Sequence, residues 1–376
     1  MATYSVLVTG GVGFIGSHLV DRLVDDGHGV RIFDNLEPQV HGEKQKLPEY
    51  LNKKAEFIKG DVRDRKALSK ALKDVEIVFH EAAAVGVGQS MYQIDKYMDV
   101  NTRGTANLLD ILVNEKNSVK KLIVASSMSI YGEGSYKCDK CGVVYPELRT
   151  EEQMKKGDWE LDCPTCGKKT KPIPTTEEKI VKPNSVYALS KKDQEDLCLM
   201  IGKTYGLPTV ALRYFNVYGP RQSLSNPYTG VAAIFMSRIK NNNRSIIYED
   251  GVQSRDFISV KDIVEANILA MNKSSGDYDY FNVGTGNPIS IKKVAEVLAT
   301  LYGSKLKPEI TNRFRKGDVR YCYADPTKIR KKLGFTAKVS FEEGMKELVE
   351  WSRTAEAVDK SEQAHAELVK KGLVEK

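Results

Sequence analysis

A chain of 376 residues and 42.0 kDa is long enough to bury a large core in one lobed domain or in two. With 28% charged and 41% apolar residues it has the balance of a globular protein, and no uncharged apolar run is long enough to cross a bilayer. The net charge of +7 comes from basic doublets scattered along the chain, such as Lys53/Lys54 and Lys120/Lys121, which suits a small anionic substrate and argues against a nucleic-acid-binding stripe.

The N-terminal MATYSVLVTGG has no basic region or cleavage site and reads as a first strand, so the expected location is the cytoplasm. YSVLVTG is a β-rich run ending in glycine, and FIGSHLVDRLVDDG has helical spacing with a glycine stop. HGVRIFDN, AEFIKGD, VEIVFHEAA and VKKLIVASS read as further strands, and YMDVNTRGTANLLDILVNEK as a helix before the last of them. This alternation predicts an α/β fold, a doubly wound parallel sheet of Rossmann type. SYKCDKCGV then interrupts the pattern, too polar and turn-prone for an ordinary strand or helix. After Leu207, PTVALRYFNVYG and YDYFNVGTG read as strands, and GVAAIFMSRIK, VKDIVEANILAMNK and SIKKVAEVLATLYG as helices of a smaller mixed lobe. Residues 355–376, charged and alanine-rich, read as a surface helix or frayed tail.

Between the first strand and first helix, Gly10, Gly13 and Gly16 fall at GxxGxxG spacing in TGGVGFIGSHLV. Glycines there permit a tight turn and let the helix N-terminus approach a pyrophosphate closely. Asp34, at the end of the next strand, is placed to accept from a ribose 2′-hydroxyl, which favours NAD over its phosphorylated relative.

Tyr187 and Lys191 in NSVYALSKK are four apart in a helical pattern and share one face. A phenol with a pKa of about 10 is a poor base near neutrality, and lowering it by about three units takes roughly 4 kcal/mol of interaction with the phenolate. A neighbouring ammonium and a positive nicotinamide ring are the means to do so. Ser127, at the end of the preceding core strand in VASSMSIYG, offers a hydroxyl to orient the reacting oxygen; otherwise it is a turn-forming serine.

Four of the six cysteines form two CxxC pairs, Cys138/Cys141 and Cys163/Cys166, each followed by glycine. In a reducing compartment this pattern points to a metal-binding ribbon with one tetrahedral ion, zinc or, as the chemical rival, iron. Two separate redox dithiols fit less well, since neither pair lies at a strand-to-helix junction of a βαβ unit. A closed four-sulfur site has no open coordination position for catalysis. The pairs interrupt the loop between Ser127 and Tyr187, at the carboxyl edge of the sheet, where the insert would roof a ligand pocket or be a surface ornament or subunit contact.

In combination, TGGVGFIGSH, GDVRD, ASSMSIYG, YALSK, RYFNVYGPRQ, SRDFISVKDI and FNVGTG resemble the extended short-chain dehydrogenase/reductases, and within them the NAD-dependent nucleotide-sugar epimerase/dehydratase family. The stretch RQSLSNPYTGVAAIF is similar to that of cysteine-insert-bearing 4-epimerases acting on dTDP-L-rhamnose, with UDP-glucose 4-epimerases next. The resemblance implies Ser127, Tyr187 and Lys191 as catalytic residues. It implies a cofactor set of Gly10, Gly13, Phe14, Ile15, Gly16, Asp34, Asn35, Asp61, Val62, Ala82, Ala83, Ala84 and Asn101, together with Tyr187 and Lys191.

For the substrate it implies Asn216, Arg255 and Arg315 at the diphosphate, Asp318 near the nucleotide ribose, Tyr248 as a base-stacking ring, and Ser127 at the sugar. Guanidinium forks match phosphate oxygens. Where dehydratases of this group carry an Asp-Glu pair, this chain has Met128 and Ser129, neither an acid or base near neutral pH. The implied reaction is therefore 4-epimerisation of a dTDP- or UDP-hexose through a transient 4-keto sugar. Alternatives are another dehydratase or reductase of the family, or a non-catalytic NAD sensor binding nucleic acid through the metal ribbon. The implied organisation is a NAD-binding domain over 1–215, a four-cysteine metal ribbon inserted at 133–174, a mainly substrate-binding lobe over 216–354, and a homodimer formed through helices near Asn101 to Glu115 and Tyr187 to Tyr205.

Overall fold

The computed structural model describes residues 3–374. The early apolar runs become strands β1 (Ser5–Thr9), β2 (Gly29–Asp34), β3 (Glu56–Lys59), β4 (Ile77–His80) and β5 (Lys121–Ser127). With Thr209–Tyr214 and Asp279–Val283 they form a seven-stranded sheet in the order Asp279–Val283, Thr209–Tyr214, β5, β4, β1, β2, β3. Every pairing in it is parallel. Val6, Leu7 and Val8 are wholly buried, as strands covered by helices on both faces must be. One face packs on Leu19, Leu23, Ile263 and Ile268, the other on Leu108, Ile111 and Cys198. The chain leaves β1 in one direction and reaches β4 in the other, so the strand order reverses beside β1 and opens a crevice at the carboxyl edge.

Four expectations are corrected. The run PTVALRYFNVYG is two strands: Thr209–Tyr214 stays in the large sheet, whereas Asn216–Tyr218 crosses to a mixed sheet with Ser254–Ser259, Pro288–Ser290 and Tyr321–Cys322. Asp279–Val283, read as part of the lobe, instead supplies the edge strand of the large sheet, so the chain passes between the two halves more than once and 215/216 is not a clean division. The helix over YMDVNTRGTANLLDILVNEK widens into a π-helical turn at Met98–Arg103 before continuing as Gly104–Asn114. SYKC, held to be too polar for a strand, is the central strand Ser135–Cys138 of a three-stranded antiparallel sheet, flanked by Gly142–Val144 and Lys171–Ile173. Alternation explains it: Tyr136 and Cys138 point into a small core with Val144, Leu161, Cys163 and Tyr321, while Lys137 points out.

Of the two forms expected for the tail, it takes the surface helix. Ser361–Lys370 is a helix that buries Ala364 and Leu368, and Val374 bridges to Arg315 beyond it.

Helix Phe14–Asp25, here α1, follows β1 through the glycine turn. Gly10 has φ +70°, and a Cβ on Gly16 would stand 2.3 Å from the Gly10 carbonyl oxygen, closer than any side chain tolerates. Gly16→Ala must therefore push α1 away from the turn, at about 1–3 kcal/mol. The expected result is a lower urea midpoint for the variant; an unchanged midpoint would contradict this packing.

Candidate active site

The crevice is lined by the segments that leave the carboxyl ends of β1, β2, β4 and β5. α1 starts at the cap residue Gly13, which has no side chain to occupy the first amides, leaving them directed at the crevice. Asp34, at the end of β2, accepts from the Val12 amide at 3.0 Å and the Leu36 amide at 2.9 Å, which aims its carboxylate across the glycine turn. Asn35 donates to Asp61 at 2.8 Å. Burial raises the Asp61 pKa, but hydrogen bonds from Arg63 and Asn35 outweigh it and hold the carboxyl at about 2. Val62 is buried against Gly104, where a Cβ would approach it to 2.5 Å. Asn101, fully buried in the π turn, spends its whole amide on structure: it accepts from the Ala84 amide (2.7 Å) and donates to the Ala84 carbonyl (3.1 Å) and Ser190 (2.9 Å). It thereby fixes the Ala82, Ala83 and Ala84 segment.

Ser127 and Tyr187 come together, and Lys191 lies one helical turn beyond Tyr187 on the same helix. The helix Val186–Tyr205 is capped by Ser185, whose hydroxyl accepts from the Ala188 amide at 3.1 Å. The Tyr187 amide donates to Ser90 at 3.0 Å, and the Tyr97 ring packs edge-on to Tyr187 with centroids 6.3 Å apart. The Ser127 oxygen accepts twice from Ser129, from its amide at 3.2 Å and its hydroxyl at 2.9 Å. Its own proton is thus left for the Tyr187 phenol, to which it hydrogen-bonds. Burial raises the phenol, and the serine bond opposes that rise by favouring the phenolate. Burial also lowers the Lys191 ammonium to about 8, and its Nζ donates to Gln194 at 2.7 Å.

Glu81, read from sequence as part of the strand run VEIVFHEAA but given no role of its own, lies just past the end of β4 and is a buried titratable group. Burial pushes its carboxyl up to about 7 while it accepts from Tyr214 at 2.9 Å and feels the Lys191 charge. Asn267 donates to the same Tyr214 oxygen at 2.7 Å.

On the facing lobe, the Arg315 guanidinium lies 4.2 Å from the Tyr248 ring centre. Its Nε, and Oδ1 of Asn216, are buried polar atoms without a hydrogen-bond partner among the described residues, as expected of groups directed at a polar ligand. Asp318 is raised by burial despite the opposing charges of Arg315 and Arg255. Arg255 departs from the expected fork: it donates to the Ser254, Val319 and Arg320 carbonyls at 2.9, 2.6 and 3.1 Å. The C-terminal helix also reaches this face, which its sequence did not disclose beyond the i, i+4 pair Ala364/Leu368. His365 Nδ1 lies 2.8 Å from the Tyr248 hydroxyl, Leu368 abuts Gly88, and Lys371 sits over the Tyr92 ring. The tail thus spans from the lobe to the loop after β4.

The four thiols also converge: the sulfurs of Cys138, Cys141, Cys163 and Cys166 all lie within 4.8 Å of one another, with Cys138 and Cys166 at 3.6 Å. Four thiolates about 2.3 Å from a tetrahedral ion stand roughly 3.8 Å apart, so the donor set fits one such ion. Gly142 and Gly167 adopt φ +76° and +69°, and amides of Thr165 and Cys166 point at the Cys163 sulfur.

Residues 6–150 match the NAD dependent epimerase/dehydratase family model, and residues 167–348 the model described as GDP-mannose 4,6 dehydratase. The dTDP-L-rhamnose 4-epimerase of Burkholderia thailandensis is 35% identical over 353 residues, covering 92% of this chain and 94% of that protein. The chain belongs to the NAD-dependent epimerase/dehydratase family. Two solved structures of the same fold are the UDP-glucose 4-epimerase of Thermotoga maritima with UDP-glucose, 35% identical with a TM-score of 0.75 over 93% of this chain and 98% of that one, and the Thermus thermophilus UDP-glucose 4-epimerase with NAD, 31% identical with a TM-score of 0.73 over 94% and 100%. Cys163 and Cys166 fall between the stretches matched by the two family models.

Glu81 gives a pH test. A carboxyl raised to about 7 binds its proton more tightly in the folded protein than in the unfolded chain, so its stabilising proton is fully bound below the ordinary carboxyl range and lost as pH rises through 7. Glu81→Gln should melt higher than the parent at pH 8, with the gap shrinking toward pH 5; a gap independent of pH contradicts this buried titration.

Proposed function

We propose that the protein is a 4-epimerase of nucleoside-diphosphate hexoses, UDP- or dTDP-linked, using NAD that is regenerated at each turnover. The observation that carries this reading is the hydrogen bond between Ser127 and Tyr187 at the carboxyl edge of the parallel sheet, with Lys191 one turn along the same helix. The residues present fit NAD: Gly10 and Gly16 leave no room for side chains, α1 offers uncapped amides, and Asp34 faces across the turn. Bound there, NAD supplies a hydride acceptor and a positive ring beside the phenol. Tyr187 takes the proton of the C4 hydroxyl, Ser127 orients that oxygen, and Lys191 favours the phenolate by its charge. With NAD bound there, hydride taken from C4 and given back to the opposite face would invert C4 without net redox change.

Ser129 is engaged with Ser127 and Met128 has no acid function, which favours inversion over dehydration. The reading is further supported by relatives that are nucleotide-sugar 4-epimerases. In it, residues 1–215 mainly hold NAD, and Asn216, Tyr248, Arg255, Arg315 and Asp318 of the 216–354 lobe receive the nucleoside diphosphate, with the unpartnered atoms of Asn216 and Arg315 as the first contacts. Arg255 must then leave its carbonyl partners or act through charge alone. The thiol cluster holds structural zinc in the 133–174 insert. A cytoplasmic homodimer, built on the helices near Asn101 to Glu115 and Tyr187 to Tyr205, fits the exposed Leu189 and Met200 and the lack, among the described residues, of a helix able to cross a membrane.

Incubation with a panel of UDP- and dTDP-hexoses, followed by proton NMR at C4, tests the reading: inversion of at least one sugar is expected, and none with any of them overturns it. Tyr187→Phe should reduce kcat by about 100-fold or more while bound NAD, measured after denaturation, is retained. Elemental analysis should find one zinc per chain, lost in Cys163→Ser.

A further inference from the structure

Glu249 follows Tyr248 and has φ +54°, a left-handed conformation that side chains other than glycine rarely adopt and that persists only when surroundings impose it. What imposes it comes from the cysteine insert. Arg149 is wholly buried and grips the Glu249 carboxylate with both arms of its guanidinium, Nη1 to Oε2 at 2.8 Å and Nη2 to Oε1 at 2.9 Å. Arg320 adds a third bond to the same carboxylate at 2.9 Å. The backbone of Glu249 is stitched to the segment before Arg315: its amide donates to the Arg313 carbonyl at 2.7 Å, and its carbonyl accepts from the Asn312 amide at 3.1 Å. Arg149 also donates to the Asp318 carbonyl at 3.1 Å. On the same side, Trp159 of the insert packs on Phe314, the neighbour of Arg315.

One guanidinium therefore touches both stretches of the nucleotide face, Tyr248–Glu249 and the loop from Arg315 to Asp318. We infer that Arg149 is a positioning residue for nucleotide recognition: by clamping Glu249 it sets the Tyr248 ring against Arg315, so that the cysteine insert acts as a strut for the nucleoside-diphosphate subsite. This inference rests on the proposed reading of that face. It places the insert's effect in substrate affinity, unlike a roof over the sugar, whose loss would expose the reacting carbon and lower kcat.

The experiment measures kcat and KM for whichever nucleotide sugar the protein turns over, and calorimetric Kd for free UDP and dTDP, in the full-length protein with its NAD content determined. Arg149→Met should raise KM, and Kd for the preferred nucleotide, about tenfold, with kcat within about twofold and NAD content unchanged. Arg149→Met/Glu249→Gly should recover most of the lost affinity, because glycine holds a left-handed φ without a clamp and no carboxylate is left half-paired. A residue with only a general structural role would lower kcat, NAD content and melting temperature together and would show no such recovery. If Arg149→Met does not fold, Arg149→Lys, which keeps the charge and loses the fork, should show a severalfold rise in Kd. Unchanged Kd in a folded Arg149 variant, or loss of kcat in proportion to NAD, overturns the inference. Wild-type protein without turnover overturns the epimerase reading alone, since the nucleotide affinities still test the strut.

Discussion

A buried ion pair underlies the geometry of the site. Glu195, on the inward face of the helix bearing Tyr187 and Lys191, accepts from Arg213 Nε at 2.9 Å and from Ser126 at 2.6 Å. Arg213 lies on the strand Thr209–Tyr214 and Ser126 on β5, next to Ser127. Both ionic side chains are nearly inaccessible, at 4% and 2%. Removing such charges from water is costly, and the return comes only if the remaining donors and acceptors are met. They are: Arg213 also donates to Tyr131, which donates to Asn282 on the edge strand. The pair thus specifies one distance between helix and sheet, and the Ser127–Tyr187 contact depends on it.

Around that contact, burial pushes each of three titratable groups toward its neutral form. Glu81 rises to about 7 and Lys191 falls to about 8, while the Tyr187 phenol rises under burial. A phenol in this state is not yet a base. Positive charge placed beside such a phenol favours its ionised form, which burial alone opposes. On the lobe, the Arg315 guanidinium lies over the Tyr248 ring, and Arg315 Nε and Asn216 Oδ1, a donor and an acceptor, are left without partners among the described residues.

Much of this was legible from short-range patterns. The parallel sheet followed from apolar runs alternating with amphipathic helices, the glycine turn from its spacing, the placing of Tyr187 and Lys191 on one helix from a separation of one helical turn, and the thiol cluster from two CxxC pairs. Where short-range reading failed, the cause was a partner far along the chain. SYKC is a strand because Lys171–Ile173 and Gly142–Val144 pair on both its edges, and Asp279–Val283 belongs to the large sheet because Thr209–Tyr214 offers a free edge. Asn101, expected as a structural and cofactor-site group, does tie two distant segments together through its amide.

The sequence by itself determined the fold class, the glycine turn, the Ser127, Tyr187 and Lys191 group and the thiol quartet, because each is encoded by residue type at a spacing that local backbone geometry converts directly into shared faces or turns. Only the tertiary structure decided that Glu81 is buried beside Lys191, that His365 meets Tyr248 across 117 positions, and that Arg149 clamps Glu249 across 100. Such contacts depend on which surfaces are left to pack once the sheet has formed, and desolvation, which sets both their charge states and their strength, exists only after packing.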